Sequence, residues 1–262
     1  MLRSLRQNGL LGSAIATAIA FAILMALGSW QMQRKAWKER LLAQIAERSH
    51  APPVPLAHVL SSMSASFEPP YDPEYVHVTA TGRFHYDKEQ FLWAPHPDAG
   101  PGYHVYTPLE TAPNTVVWVN RGYVPHDKKA PETRASGQVA GEVTVVGLVR
   151  RRIADQDKGA FTPDNEPYRQ MYYWRALDEM HAAAFGAKGV NKAQVFVDAD
   201  AEPANPGGLP KGGVTMVDLP NRHLEYAITW YGLAGTLLAI YAAFVIARVR
   251  RPKSDPNRPE IR

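Results

Sequence analysis

A histidine followed by two aromatic residues at helical spacing is the arrangement in this chain best suited to bind a metal or a flat cofactor. His223 precedes Tyr226 by one helical turn and Trp230 by two, so the three side chains would share one helix face. Neutral imidazole is a frequent metal ligand, and aromatic rings can pack against a planar ligand. Polar and aromatic residues at this spacing are also typical of a membrane interface, where they bind no ligand. Spacing alone favours this second interpretation.

Three other histidines offer a different chemistry. His77 and His85 have the same parity on one predicted strand, and His104 lies on a neighbouring one, so they could form a three-histidine metal site in an exported metal-dependent enzyme. The chain lacks the sequence motifs of zinc proteases, serine hydrolases and phosphate-binding loops. It also has no cysteine, which excludes disulfides and thiolate metal sites. We therefore expect a protein that is not an enzyme and has no catalytic residues.

Two uncharged runs must position the candidate histidine. Residues 226–247 would extend about 33 Å as a helix, enough for a hydrocarbon core of about 30 Å. Residues 10–27 form a second run, which could be a signal peptide, but its length and the helical pattern beyond it favour a retained anchor. That pattern predicts that the first helix continues, as an amphipathic segment, to about residue 49.

The distribution of charge predicts the topology. The net charge of +4 and the pI of about 9.2 could indicate nucleic-acid binding, but six basic residues lie in the short tail after the second run. Basic residues beside a span favour the cytoplasm, so we expect both termini there and the middle domain outside. We expect the bacterial inner membrane and a periplasmic domain, because no Arg- and Ser-rich transit peptide precedes the first run.

The residues between the runs predict one domain rich in strands. Proline clusters mark 51–73 as a linker, and residues 176–185 have the pattern of a short helix. Strand patterns cover 75–86, 90–93, 103–107, 115–120, 142–149, 194–197 and 214–217. We expect a membrane protein in which two transmembrane helices flank one α+β extracytoplasmic domain, dominated by an antiparallel sheet that could close into a partial barrel. The predicted segments are a cytoplasmic N-terminus (1–9), a first span (10–30), the domain (31–225, with a helical extension over 31–49), a second span (226–247) and a cytoplasmic tail (248–262).

Several motifs, in order along the chain, resemble those of the surfeit locus assembly-factor family of cytochrome c oxidase, which has bacterial members. The first is Leu27-Gly-Ser-Trp-Gln-Met-Gln-Arg-Lys-Ala-Trp-Lys38, at the end of the first run. The domain contains Gly82-Arg-Phe84, Gly102-Tyr-His-Val-Tyr-Thr-Pro108, Asn120-Arg-Gly-Tyr-Val-Pro125 and Phe161-Thr-Pro-Asp-Asn165. The last is Pro220-Asn-Arg-His-Leu-Glu-Tyr-Ala-Ile-Thr-Trp-Tyr231. One departure is Tyr123, where the family often has Trp.

The resemblance implies a role in maturing the haem-copper oxidase. It implies haem A as cargo, with His223 as the axial ligand of the haem iron, Tyr226 and Trp230 against the ring or its tail, and Arg222 or Arg34 near the propionates. The expected partners are oxidase subunit I, haem A synthase and the lipid bilayer. An alternative that fits the same resemblance is a membrane-anchored scaffold that stabilises subunit I without binding haem.

Overall fold

A computed structural model of the chain describes residues 10–65, 71–96, 98–151, 158–186, 189–215 and 221–250. The chain divides into two compact units. One combines Met1–Ala43 with Asp218–Arg262, and the other is Gln44–Val217. The helices and strands, in chain order, are α1 (Leu11–His50), β1 (Val54–Pro55), α2 (Leu56–Ala65), β2 (His77–Phe84), β3 (Gln90–Trp93), β4 (Gly102–Ala112), β5 (Thr115–Pro125), β6 (Val143–Arg151), β7 (Met171–Tyr172), α3 (Leu177–Phe185), β8 (Asn191–Ala199) and α4 (His223–Arg250).

The first unit consists of a helix pair, α1 and α4. Both helices are long and apolar enough to cross a membrane. The buried residues of α4 are Ala227 and Ala234, seven positions apart, which places them on one face of the helix. Small residues also recur at every fourth position from Gly235, but a Cβ added to Gly235 would meet nothing within 4 Å. The close helix contact is therefore made by the face that contains Ala227 and Ala234.

The second unit contains a closed five-stranded barrel. Its strands pair in the order β2, β6, β8, β5, β4, and β4 pairs again with β2, which closes the ring. The closing contacts are Arg83 opposite Glu110 and Phe84 opposite Leu109. Four of the five pairings in the ring are antiparallel, and β5 with β8 is parallel. Strands β1, β3 and β7 extend the sheet outside the ring.

Two of the three apolar clusters of this unit include residues of helices. One is built from aliphatic side chains of the barrel strands, with Leu56 and Val59 of α2 packed among them. The other joins Leu177 and Met180 of α3 to large aromatic residues of the sheet, including Trp118 and Phe196. Helices therefore cover the sheet in two places, which explains why short apolar helices interrupt a chain that is otherwise rich in strands.

Most of the predicted elements of this domain are confirmed. Residues 90–93 form β3 as predicted, and α3 begins with Asp178 and Glu179 in its first turn and ends at Gly186, which has positive φ. Strand β5 extends beyond the predicted residues 115–120. The strand continues to Pro125 because Gly122, at φ 118°, accommodates a register shift in the pairing with β4, which resumes at Tyr123. Of the strand predicted over 214–217, residues 214 and 215 are not in a strand, and 216–217 lie outside the described residues.

Candidate functional site

His223 is the first residue of α4, and its side chain contacts α1. Its Nδ1 lies 2.8 Å from Oε1 of Gln31. An amide oxygen only accepts hydrogen bonds, so Nδ1 carries the proton and donates it. The lone pair of a neutral imidazole is then on Nε2. Within the described part of the chain, no side chain or carbonyl forms a hydrogen bond with that atom.

A glycine one turn before Gln31 allows the two helices to approach closely. A Cβ added to Gly28 would lie 2.5 Å from the ring of Tyr231, so only glycine fits there without a shift of that ring. The Tyr231 hydroxyl is also 3.3 Å from the hydroxyl of Ser29. Because Gln31 lies three residues after Gly28, it projects from nearly the same face of α1. The motif that ends the first apolar run thus places Gln31 against His223.

The two aromatic residues predicted to share a face with His223 have different surroundings. Trp230, two turns along α4, is half-buried like His223, whereas Tyr226 is 55% exposed. His223 and Trp230 therefore lie on the more protected side of α4, and Tyr226 faces outward.

The two arginines that the sequence associates with this site, Arg222 and Arg34, are exposed. Arg222 immediately precedes His223, and the guanidinium of Arg34 lies 4.0 Å from the centre of the Trp37 ring. Among the described residues, neither arginine forms an ion pair with a carboxylate. Both can therefore receive an anionic group without first losing one.

The three histidines of the barrel do not converge. His77 donates from Nδ1 to the Ala51 carbonyl and from Nε2 to Asp200, both at 2.8 Å. His85 pairs with Glu110 at 3.2 Å, and burial lowers the pKa of His104. The described residues contain no group of three or more ligating side chains able to hold a metal ion. A metal site built from these histidines is excluded for the described chain.

The barrel motif that contains Arg121 forms a buried ion cluster. Glu89 accepts from Arg121 at 3.2 Å and from Arg134 at 2.6 Å, and all three residues are at most 4% exposed. Thr107 also donates to Glu89, at 3.2 Å. The sequence does not identify Glu89 and Arg134 as partners of Arg121, because Glu89 lies between a 3-10 helix and β3, and Arg134 lies in the 3-10 helix Pro131–Gly137.

The same motif supplies three further structural contacts. Asn120 donates to Asp198 at 3.1 Å and accepts from the backbone N–H of Gly122. A Cβ on Gly122 would lie 1.9 Å from the Lys211 carbonyl oxygen. The Tyr123 hydroxyl is 3.1 Å from the carbonyl oxygens of both Ala99 and Gly100. The motif therefore stabilises the barrel.

Two concavities of the barrel are less suited to a large planar ligand than the helix pair is. A cavity of about 160 Å3 beside Arg121, lined also by Phe84 and Tyr86, is smaller than the roughly 300 Å3 at which small-molecule sites begin. An open groove is lined by Trp93, Tyr103 and Lys129, and burial lowers the pKa of this lysine. No histidine lines either concavity. The helix pair remains the best candidate for a metal-containing cargo.

Comparison with known proteins agrees with the motifs. The profile of the SURF1 family matches residues 18–235. Surfeit locus protein 1 of Rattus norvegicus is 37% identical over 246 residues, which cover 86% of this chain and 73% of the rat protein. Surfeit locus protein 1 of Takifugu rubripes is 34% identical over 245 residues, 87% of this chain and 95% of the fish protein.

A relative from a unicellular organism extends this similarity. The SURF1-like protein of Monosiga brevicollis is 34% identical over 258 residues, which cover 91% of this chain and 88% of that protein. The matched region covers most of α1, the whole barrel and the first part of α4, so the similarity includes Gln31 and His223 as well as the barrel motifs. On this evidence the chain belongs to the SURF1 family.

Proposed function

We propose that this protein is an assembly factor for haem-copper cytochrome c oxidase, which binds haem A near the membrane interface and aids its delivery to, or insertion into, subunit I. The family assignment supports the assembly role. The observation that carries the haem proposal is the state of His223, whose Nδ1 is held by Gln31 while Nε2 has no partner among the described residues. No enzymatic reaction is part of this proposal.

The residues around His223 fit the chemistry of such a cargo. A haem supplies an iron that accepts neutral imidazole as an axial ligand, and His223 offers one such nitrogen. Trp230, half-buried two turns further along α4, provides an apolar surface for the ring or its tail, and the more exposed Tyr226 a second one. Arg222 and Arg34 can pair with carboxylates such as the propionates.

A single histidine is appropriate for a carrier. One imidazole would hold the haem through a single bond to the protein, so release to an acceptor would require the loss of only that bond. The position of His223 at the start of an apolar helix would keep the macrocycle near the headgroups, with any hydrophobic tail among the lipids. We propose subunit I as the acceptor and haem A synthase as the partner that supplies the cargo.

For the location, we propose the bacterial inner membrane, with α1 and α4 as transmembrane helices, both termini in the cytoplasm and the barrel in the periplasm. The two apolar helices support two spans, and the basic residues after residue 247 support a cytoplasmic tail. Protease added to spheroplasts should degrade the barrel and leave an epitope at the C-terminus intact. Protection of the barrel would contradict this topology.

The haem proposal is tested by purifying the protein from cells that make haem A. The absorption spectrum and the haem content per protein are compared for wild type, His223→Ala and the control His58→Ala, which changes an exposed histidine of α2. We expect haem A in the wild type and in the control, and its loss from a folded His223→Ala protein. Equal content in all three would contradict the role of His223, and a wild type without haem would favour a scaffold for subunit I.

A further inference from the structure

We infer that Gln31 is the positioning residue of the haem site: it fixes the proton and the orientation of the His223 ring and keeps His223 a ligand of moderate strength. This inference rests on the proposed function, since it concerns the same imidazole. It assigns a role to a residue of the first apolar helix, far from His223 in sequence.

Gln31 first determines which ring nitrogen of His223 carries the proton. A neutral histidine has two tautomers, and only the one with the proton on Nδ1 leaves Nε2 free to bind iron. The 2.8 Å contact with the Gln31 oxygen stabilises that tautomer and fixes the rotation of the ring. Without Gln31, the ring could rotate and both tautomers would be populated.

Gln31 also affects how strongly His223 binds a metal, and a histidine of the barrel provides a comparison. His85 pairs through Nε2 with a carboxylate, that of Glu110. A carboxylate on one ring nitrogen increases the electron density on the other and makes it a stronger metal ligand. The partner of His223 is a neutral amide, which orients the ring with less of this effect. A carrier that must release its cargo benefits from the weaker ligand.

The hydrogen bond between His223 and Gln31 joins the two helices. Gln31 belongs to α1 and His223 to α4, so their hydrogen bond exists only while the helices are packed together. The packing of Gly28 against Tyr231, one turn away, determines the separation at this level. The ligand geometry is therefore linked to the contact between the helices.

The experiment compares two substitutions of Gln31 with a matched control. Gln31→Leu removes the acceptor, and Gln31→Glu replaces the amide by a carboxylate. Gln33→Leu makes the same change two residues further along α1, at an exposed position. All are purified as full chains from cells that make haem A. Haem content, haem affinity, the midpoint potential of the bound haem and the rate of haem transfer to apomyoglobin are measured.

We expect Gln31→Leu to lower haem affinity by about 10- to 100-fold, the usual effect of removing such a partner. Gln31→Glu should retain haem, lower its midpoint potential and slow its transfer, a pattern that a merely structural role would not produce. Gln33→Leu should match the wild type. Helix content from circular dichroism shows whether a variant is folded, and Gln31→Glu tests the inference even if Gln31→Leu does not fold.

Two outcomes would overturn the inference in different ways. If His223→Ala loses haem while both Gln31 variants keep the affinity, potential and transfer rate of the wild type, then Gln31 has no positioning role and the proposed function stands. If the wild type binds no haem A, or His223→Ala keeps it, the proposed function fails and the inference fails with it.

Discussion

The barrel and the helix pair use their polar motif residues differently. In the barrel, Arg121, Asn120 and Tyr123 each bond to other parts of the same domain. In the helix pair, His223 has one nitrogen bonded to Gln31 and the other without a partner in the described chain. Family motifs in the barrel therefore hold the fold together, whereas the motif at α4 retains a free ligand atom.

This difference gives a criterion for separating structural from functional motif residues in a single chain. A motif residue whose hydrogen bonds all go to groups of its own domain stabilises that domain. A motif residue that is oriented by one bond but retains a free, chemically competent atom, as His223 does, is suited to bind a ligand. By this criterion, changes in the barrel should affect folding, and changes at the helix pair should affect haem.

The largest expected effect is on the buried ion cluster of the barrel. Glu89→Ala leaves two buried guanidinium groups, Arg121 and Arg134, without their carboxylate. Breaking a buried ion pair in this way costs about 3–5 kcal/mol of the free energy of unfolding. Urea unfolding of the barrel, followed by near-ultraviolet circular dichroism, measures this loss.

The control for this change is Asp87→Ala, two residues away. Asp87 pairs with Lys88 at the surface, and an exposed pair contributes less than about 1 kcal/mol. Equal effects of the two changes would show that the buried cluster does not stabilise the barrel.

Two glycines, one in each unit, sharpen the comparison. At Gly122, φ is 118° and a Cβ would meet a backbone carbonyl, so Gly122→Ala should cost at least about 1–3 kcal/mol of barrel stability.

At Gly28, a Cβ would meet the ring of Tyr231, which can rotate away. We expect Gly28→Ala to leave barrel unfolding unchanged but to reduce haem content, because the hydrogen bond from His223 to Gln31 depends on this spacing. Barrel destabilisation by Gly28→Ala would contradict the prediction that this residue affects only the helix pair.

The smallest expected effect is a dependence of barrel stability on pH. Burial lowers the pKa of His104 in the folded state, whereas in the unfolded chain it titrates near 6.5. The unfolded chain therefore takes up the proton first, so stability falls as the pH drops from about 6.5 towards the lowered folded value and then levels off. His104→Gln should reduce this slope by less than about 1.4 kcal/mol per pH unit.

Much of the fold follows from local patterns in the sequence. The apolar runs predict α1 and α4, and alternating residues predict most strands, because these features repeat along a single element. Closure of the barrel between β2 and β4 depends on two strands that are distant in sequence. The continuation of β5 through Gly122 depends on the carbonyl of Lys211 beside it, and no local pattern reports that contact.

The candidate site shows the same division between local and distant information. His223 and its aromatic neighbours could be identified from spacing and motif. Gln31 belongs to a quoted motif, but its role became visible only when α1 and α4 were placed side by side. The family signature includes Gln31 and not Gln33, but only the packed helices show that Gln31 contacts His223.

The central claim, that Nε2 of His223 binds the haem iron, is tested most directly by chemical rescue. The measurement is the haem A content of His223→Gly, purified from cells that make haem A, with and without imidazole in the buffer. The account predicts that His223→Gly loses the haem and that added imidazole, entering the vacated position, restores its binding and a spectrum like that of the wild type. Retention of haem A by His223→Gly without imidazole, with an unchanged spectrum, would contradict it.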